Sequence, residues 1–361
     1  LMLCLDDDEC PMSFEQCAQE YWCGSGANRW FDKSIQLVCT ENGKLGYIGE
    51  HAMMDGMAAV TLCNHLLKDT YADEAAKSVV YDGNEELSTV PPPPVQDIFE
   101  NVWPKFSRKN LERVEGMVNE AKEQFTKLVA DHELRVVNFE QYGSNYIKKA
   151  GYSPDAYIQM AIQLATYRLF GKQVGTYEAT QVRPFRHGRT ETTRSVTEDS
   201  MNFVKFMGAS STAVDAVTVK AKKNDLLKRA TETHKKYTLD ACKGYGVDRH
   251  FFGLSMLVDQ DGEVAPDLFS DPVFIRSKTW RLSTSTVPYP LGFGEVVSDG
   301  IGVGYVARPD SCLFTVTSRK QPHYTDGLTK LLEEALLEMH AITNNNNNSS
   351  GDNSKAPQSK I

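Results

Sequence analysis

The apolar positions along the chain change their spacing several times, and each spacing predicts an element. Residues 1–5 are an apolar run that reads as a strand entered midway, as if the chain were the C-terminal part of a longer protein. Residues 35–39 read as a short strand, and Asn42-Gly43, the dipeptide best suited to a tight hairpin turn, leads into a return strand over 44–50. A helix rich in Ala, Val and Leu is predicted over about 55–67. The four consecutive prolines at 91–94 can continue neither a helix nor a central strand, so they predict an extended linker over 91–106. From 107 to 131 the residues Leu111, Val114, Met117, Val118, Ala121, Phe125 and Leu128 recur every three or four positions, the period of an amphipathic helix. Ser153-Pro154-Asp155 supplies a cap, a first-turn proline and an early acid for a helix that should end before Gly171. Residues 174–182 read as a strand, 211–238 as mostly helix, 280–287, 302–307 and 313–318 as three strands, and 328–342 as a closing helix. The Asn- and Ser-rich remainder, 344–361, has nothing apolar to bury and is expected to be disordered. The prediction is an α/β protein with a first domain at 1–90, the linker, a second domain at 107–343, and a tail.

Composition narrows the class. With 361 residues, 41% of them hydrophobic and 24% charged, the chain can bury the interior of two domains. A net charge of −9 disfavours a long polyanion, so no nucleic-acid partner is expected. No run of eighteen apolar residues occurs, so no transmembrane segment is predicted, and no secretory leader is visible. The eight cysteines never form CxxC and none has a histidine at zinc-finger spacing, so reduced thiols and no metal are expected.

The motif that promises chemistry is His51-Ala-Met-Met-Asp55-Gly56, set where a strand gives way to a helix. An imidazole there can project into a cleft as a general base, and the carboxylate four residues on can pair with a fixed cation; the plainer alternative is a helix cap beside a core histidine. In Leu282-Ser283-Thr284-Ser285-Thr286 the period of two puts both serines on one face, where hydroxyls can donate to a developing oxyanion. A solvated edge strand is the alternative. Gly188-Arg189-Thr190-Glu191-Thr192 likewise sets two threonines on one side of an extended segment.

Together with Asn28-Arg-Trp-Phe-Asp-Lys33, Ser153 to Met160, Thr176-Tyr-Glu178, Val247-Asp-Arg-His250 and Asp299-Gly300, these blocks resemble, in order, the carnitine/choline acyltransferase family. The resemblance runs from the start to about Ile342. It implies two α/β domains of the chloramphenicol acetyltransferase type, the first incomplete at its N-terminus, with a tunnel between them that admits acyl-CoA from one side and the alcohol from the other. By it, His51 is the base, Asp55 its acidic companion with Arg189 as partner, and Ser285 the oxyanion-side hydroxyl. Carnitine-using members carry Arg in the DRH block and Thr at two places in the GRT block, where choline-using members carry Asn, Val and Asn. Here those positions are Arg249, Thr190 and Thr192. Tyr177 and Ser283 complete the implied carnitine site, with Phe293 facing the trimethylammonium. Lys148, Lys149, Asp155 and Glu178 fall at the implied CoA site, although Ser144 stands where a further lysine is common. Leu291, two positions before Phe293, matches a bulky residue that shortens the acyl pocket.

The implied activity is therefore reversible transfer of a short acyl group, acetyl first, between CoA and L-carnitine by a monomer, with CoA as substrate and no permanently bound cofactor. Choline or medium-chain transfer, and an inactive fragment that only binds ligand, are the alternatives. The remaining histidines, His234 among them, carry no partner motif and are assigned no catalytic role. The chain ends Ser359-Lys360-Ile361, one residue from a peroxisomal Ser-Lys-Leu address, so a peroxisomal or mitochondrial location is expected, with the cytoplasm as the alternative.

Overall fold

The computed structural model describes residues 1–10, 13–72, 108–208, 215–262, 264–286 and 288–344. The apolar run at the start is β1 (Met2–Asp6), followed by α1 (Phe14–Trp22), whose first turn is capped by the Ser13 hydroxyl accepting from the Gln16 N–H at 3.2 Å. β2 (Ile35–Thr40) and β3 (Leu45–Gly49) form the hairpin read at Asn42-Gly43. Gly43 turns the chain at φ +73°, a conformation costly for a residue with a Cβ, and its N–H donates to the Thr40 carbonyl at 2.9 Å. β1 lies parallel to β2, which gives a three-stranded sheet in the order β1-β2-β3, and α2 (Gly56–Ala72) leaves it after a short loop.

The second unit opens with α3 (Arg108–Ala130), β4 (His132–Phe139), α4 (Ser144–Lys149) and α5 (Pro154–Phe170). Next come β5 (Thr176–Gln181), β6 (Thr190–Thr193), α6 (Glu198–Gly208) and α7 (Ala216–Cys242). The chain ends with α8 (Asp248–Asp261), the short α9 (Asp267–Ser270) and α10 (Pro272–Ser277), then β7 (Leu282–Thr286), β8 (Ile301–Ala307), β9 (Cys312–Arg319) and α11 (Thr325–Thr343). Six strands form one mixed sheet in the order β4-β9-β8-β7-β5-β6, parallel only where β7 meets β5 and β8. α5 is buried from Ala156 to Thr166 because it runs between the sheet and the helices α6, α7 and α11, which explains its apolar residues on every side. Its two glutamines reach the sheet: Gln159 donates to the Thr284 and Tyr305 hydroxyls at 2.9 and 3.1 Å, and Gln163 donates to Thr176 at 3.1 Å.

The other face of the same strands points away from α5, with Ser283 on it buried at 6% exposure. It carries Tyr177, Ser283, Ser285, Gly302 and Gly304, by the alternation that turns Glu178, Thr284 and Tyr305 toward the helices. Over β8 on that side runs the segment 291–294. A Cβ at Gly302 would meet the Phe293 carbonyl at 2.6 Å, and one at Gly304 the Leu291 carbonyl at 2.5 Å. The two glycines of β8 let a second backbone lie against the sheet, beside the two serines.

Two readings change. The α3 stripe predicts burial, yet Met117, Val118 and Leu128 are exposed, while Phe125 stacks on Phe31 at 5.4 Å. Periodicity predicted the helix but not what covers it. β4 escaped detection because its eight residues HELRVVNF carry Glu133, Arg135 and Asn138 among the apolar ones, and its register against β9 supplies the order that alternation did not. The expected linker at 91–106 lies outside the described residues, as does the tail after Asn344. All eight cysteines are free.

Candidate active site

His51 sits in the loop between β3 and α2, exposed, with its Nδ1 at 2.7 Å from the Met54 carbonyl. Only an Nδ1–H can make that contact, so the neutral ring keeps Nε2 unprotonated and available as a base. The loop is held from outside by Arg189. Its Nε donates to Asp55 Oδ1 at 2.8 Å, and its Nη atoms donate to the carbonyls of His51, Ala52 and Met54. Asp55 thus serves as a partner for Arg189 rather than as a side-chain helix cap, and His51 is exposed rather than in a core. Arg189 reaches the loop from a tight β5–β6 connection in which Gly188 is required, because a Cβ there would lie 2.1 Å from the Val182 carbonyl.

One residue further, Thr190 belongs to a second cluster centred on Arg249, at the start of α8. The Arg249 Nη2 donates to the Tyr177 hydroxyl at 3.1 Å and the Thr190 hydroxyl at 3.4 Å, its Nε donates to the Thr190 carbonyl at 3.2 Å, and its Nη1 donates to Asp248 at 3.1 Å. The side chain keeps 42% of its surface in solvent, so the cation remains open to an anionic ligand. Thr192 is fully buried and spends its hydroxyl on Asp248 at 3.1 Å, so it acts on Arg249 through that carboxylate.

Ser283 lies beside Tyr177 in register and beside Gly302, and Ser285 beside Gly304. Among the described residues neither serine hydroxyl has a protein partner, which leaves both as donors. Phe293 and Leu291 are half-buried at the near edge of the segment crossing β8. Tyr289, just before it, donates to Asn64 of α2 at 2.6 Å, which ties this segment to the helix that follows the His51 loop.

The CoA candidates divide. Lys148 and Lys149 are exposed in the last turn of α4, where a phosphate can reach them. Asp155 and Glu178 lie on the helix side of the sheet, with His234 of α7. His234 Nε2 is 2.5 Å from Glu178 Oε2, the Ser195 hydroxyl donates to the same oxygen at 2.8 Å, and the Tyr305 hydroxyl donates to Asp155 at 2.6 Å. Burial together with the neighbouring Glu178 pushes the Asp155 carboxyl up to about 6. Burial opposes charge on His234, but Glu178 and Asp155 outweigh it and hold its pKa above the ordinary histidine value. The carboxylate and imidazole atoms of Asp155, Glu178 and His234 lie within 4.8 Å of one another, close enough to hold a metal ion. The contacted atoms already accept protein hydrogen bonds or, at His234, make the ion pair. His234 was invisible in the sequence because its partners are 56 and 79 positions away and no motif joins them; its place on a buried helix stripe beside Ala230 and Leu227 was the only signal.

Residues 1–334 match the family model described as choline/carnitine O-acyltransferase. The chain is 36% identical over 312 residues to the mitochondrial carnitine O-acetyltransferase of Saccharomyces cerevisiae, covering 84% of this chain and 44% of that protein. It is 33% identical over 324 residues to the carnitine O-acetyltransferase of Homo sapiens and equally to the choline O-acetyltransferase of Sus scrofa, covering 88% of this chain and 48% of each. It spans about half the length of these relatives. Among solved structures, the first condensation domain of the CDA synthetase is similar at a TM-score of 0.46 and 14% identity, over 95% of this chain and 75% of that one.

Proposed function

Because the chain belongs to the choline/carnitine O-acyltransferase family, we propose that it carries the base-bearing part of an enzyme moving a short acyl group, acetyl first, reversibly between CoA and L-carnitine. The observation that carries this reading is the start of β6. Arg189 there holds the His51 loop and the next residue, Thr190, lines the Arg249 cation, so a base and a carboxylate receptor are tied to one point of the backbone. At equal identity to carnitine and choline relatives, the choice rests on charge: an open guanidinium matches the carboxylate that carnitine has and choline lacks.

In the forward direction His51 Nε2 takes the proton from the carnitine hydroxyl as its oxygen attacks the thioester carbonyl. The oxyanion so formed receives the Ser285 hydroxyl, with Ser283 on the same face toward the alcohol. Collapse breaks the C–S bond, and the CoA thiolate recovers the proton from His51. Arg249, Tyr177 and Thr190 meet the carboxylate, the buried Thr192 supports Arg249 through Asp248, Phe293 faces the ammonium, and Lys148 and Lys149 meet CoA, whereas Asp155 and Glu178 lie on the helix side of the sheet with their oxygens already bonded within the protein. Leu291, whose Cγ lies 3.1 Å from where a Gly304 Cβ would stand, fills space that a longer acyl tail needs. Residues 1–90 and 107–343 are the two domains of this site, the protein acts as a monomer, and it resides in mitochondria or peroxisomes.

The test is thiol release from acetyl-CoA with L-carnitine, measured on the longest native polypeptide that carries this chain. His51→Ala is expected to lower turnover about a hundred- to ten-thousand-fold, and Arg249→Asn to raise the KM for carnitine while sparing that for acetyl-CoA. Wild-type turnover in His51→Ala overturns the reading. Calorimetric binding of carnitine without turnover by residues 1–361 identifies the chain alone as a ligand-binding fragment.

A further inference from the structure

The Arg249 cation belongs to a closed circuit of five side chains. Its Nη1 donates to Asp248 Oδ2 at 3.1 Å; Asp248 Oδ1 accepts from Arg194 Nη2 at 2.8 Å; the Arg194 guanidinium lies over the Trp280 ring at 5.2 Å. The Trp280 ring meets the Tyr177 ring edge-on at 5.8 Å, and the Tyr177 hydroxyl accepts from Arg249 Nη2 at 3.1 Å. Arg194 is anchored in turn by the carbonyl and hydroxyl of Ser277, both at 3.1 Å, and Thr192 adds a third donor to Asp248. Exposure is highest at Arg249, whose side chain keeps 42% of its surface in solvent, against 20% for Arg194 and 10% for Asp248. One guanidinium faces outward while the groups that orient it are inside.

We propose that Asp248, Arg194 and Trp280 are positioning residues that hold Arg249 ready for the substrate carboxylate, so that preference for a carboxylate-bearing alcohol depends on the whole circuit. This rests on the reading of Arg249 as the carboxylate receptor. An arginine on a long flexible stem loses rotamer freedom when it binds, and a stem already fixed at two corners of its guanidinium has lost that freedom before the ligand arrives. Asp248 takes Nη1 and Tyr177 takes Nη2, which sets the plane of the fork that a carboxylate must meet.

The sign of one substitution separates positioning from charge. Asp248→Asn removes a negative charge beside the cation, so electrostatics alone predicts tighter binding of an anionic substrate. Loss of positioning predicts weaker binding. Thiol release is measured on the full native polypeptide with L-carnitine and with choline as the carboxylate-free comparator. For Asp248→Asn the carnitine-to-choline ratio of kcat/KM is expected to fall about tenfold, through the KM for carnitine, with the KM for acetyl-CoA unchanged. Trp280→Leu, which leaves all three charged groups in place, is expected to lower the same ratio about threefold. An unchanged or increased ratio in Asp248→Asn overturns the proposal; if that variant fails to fold, an unchanged ratio in Trp280→Leu overturns it. Arg249→Asn keeps the two levels apart. If it lowers the ratio and the other two variants do not, the circuit is rejected and the receptor stands. If it leaves the ratio unchanged, the receptor and the circuit fall together.

Discussion

Tyr177 and Glu178 are neighbours in β5 and face opposite worlds. Tyr177 looks onto the open side of the sheet with Ser283 and the half-exposed Arg249, while Glu178, 4% exposed, looks into the helix layer at His234, Ser195 and Asp155. Both faces are polar, but their polar groups are spent differently. On the open side the serine hydroxyls have no partner among the described residues and one guanidinium remains accessible. On the closed side the carboxylates are already met by hydroxyls and an imidazole, as groups removed from water must be. A polar strand in this sheet thus keeps the polar groups of one face available and spends those of the other on the fold, so single substitutions on the two faces should fail in different ways.

The largest stability effect is expected on the closed side. His234→Leu leaves the Glu178 carboxylate buried without its cation, which should cost about 3 to 5 kcal/mol in urea denaturation, while pairing it with Glu178→Gln should recover much of the loss. A single variant as stable as wild type would show that the ion pair holds nothing. On the open side, Ser285→Ala should lower kcat/KM about a hundred- to a thousandfold with Tm unchanged. One position before it, Thr284→Val removes the hydroxyl that bonds Gln159 and the Tyr177 carbonyl. That change should lower stability by about 1 to 2 kcal/mol with a much smaller kinetic effect. If both variants lost activity alike at equal Tm, the division between faces would be wrong.

A smaller effect, of opposite sign, is expected at Asp155. Its folded pKa of about 6 lies above the ordinary value of 3.8, so the folded state binds the proton more tightly, and stability falls as pH rises between these values and stays lowered above them. Asp155→Asn should therefore stabilise the protein by about 1 to 3 kcal/mol at pH 7.5 and leave it unchanged near pH 3.5. The smallest effect belongs to an arrangement of the same residue types in which the histidine is exposed. His323 donates toward Glu133 at 2.6 Å and Asp326 at 2.9 Å, and these carboxylates raise its pKa. Its contribution is complete below the unfolded histidine value and disappears as pH rises through the folded one. His323→Gln should lower Tm slightly at pH 6 and not at pH 9, a loss far below that of His234→Leu because solvent screens the exposed imidazole.

Much of this was written locally. The Asn42-Gly43 turn, the boundaries of α5 at Pro154 and Phe170, and the strands β7, β8 and β9 lie within a residue or two of where capping, turn chemistry and alternation put them. Alternation also placed Ser283 and Ser285 on one face, and the spacing of His51 and Asp55 on one short loop is a property of the chain alone. What escaped is what depends on partners distant in sequence. β4 needed β9, 173 to 187 positions away, to fix its register, and the α3 stripe could not say that Met117 and Val118 would stay exposed.

The sequence by itself determined the periods, the turns, and the residue types at each candidate position, because these follow from the backbone geometry of a few neighbouring residues. Only the tertiary structure decided that Arg189 reaches back 134 positions to Asp55, that Asp248 joins Thr192, Arg194 and Arg249, and that His234 meets Glu178. Hydrogen bonds and ion pairs depend on a few tenths of an ångström between side chains, and separations that small are set by how the sheet and helices pack.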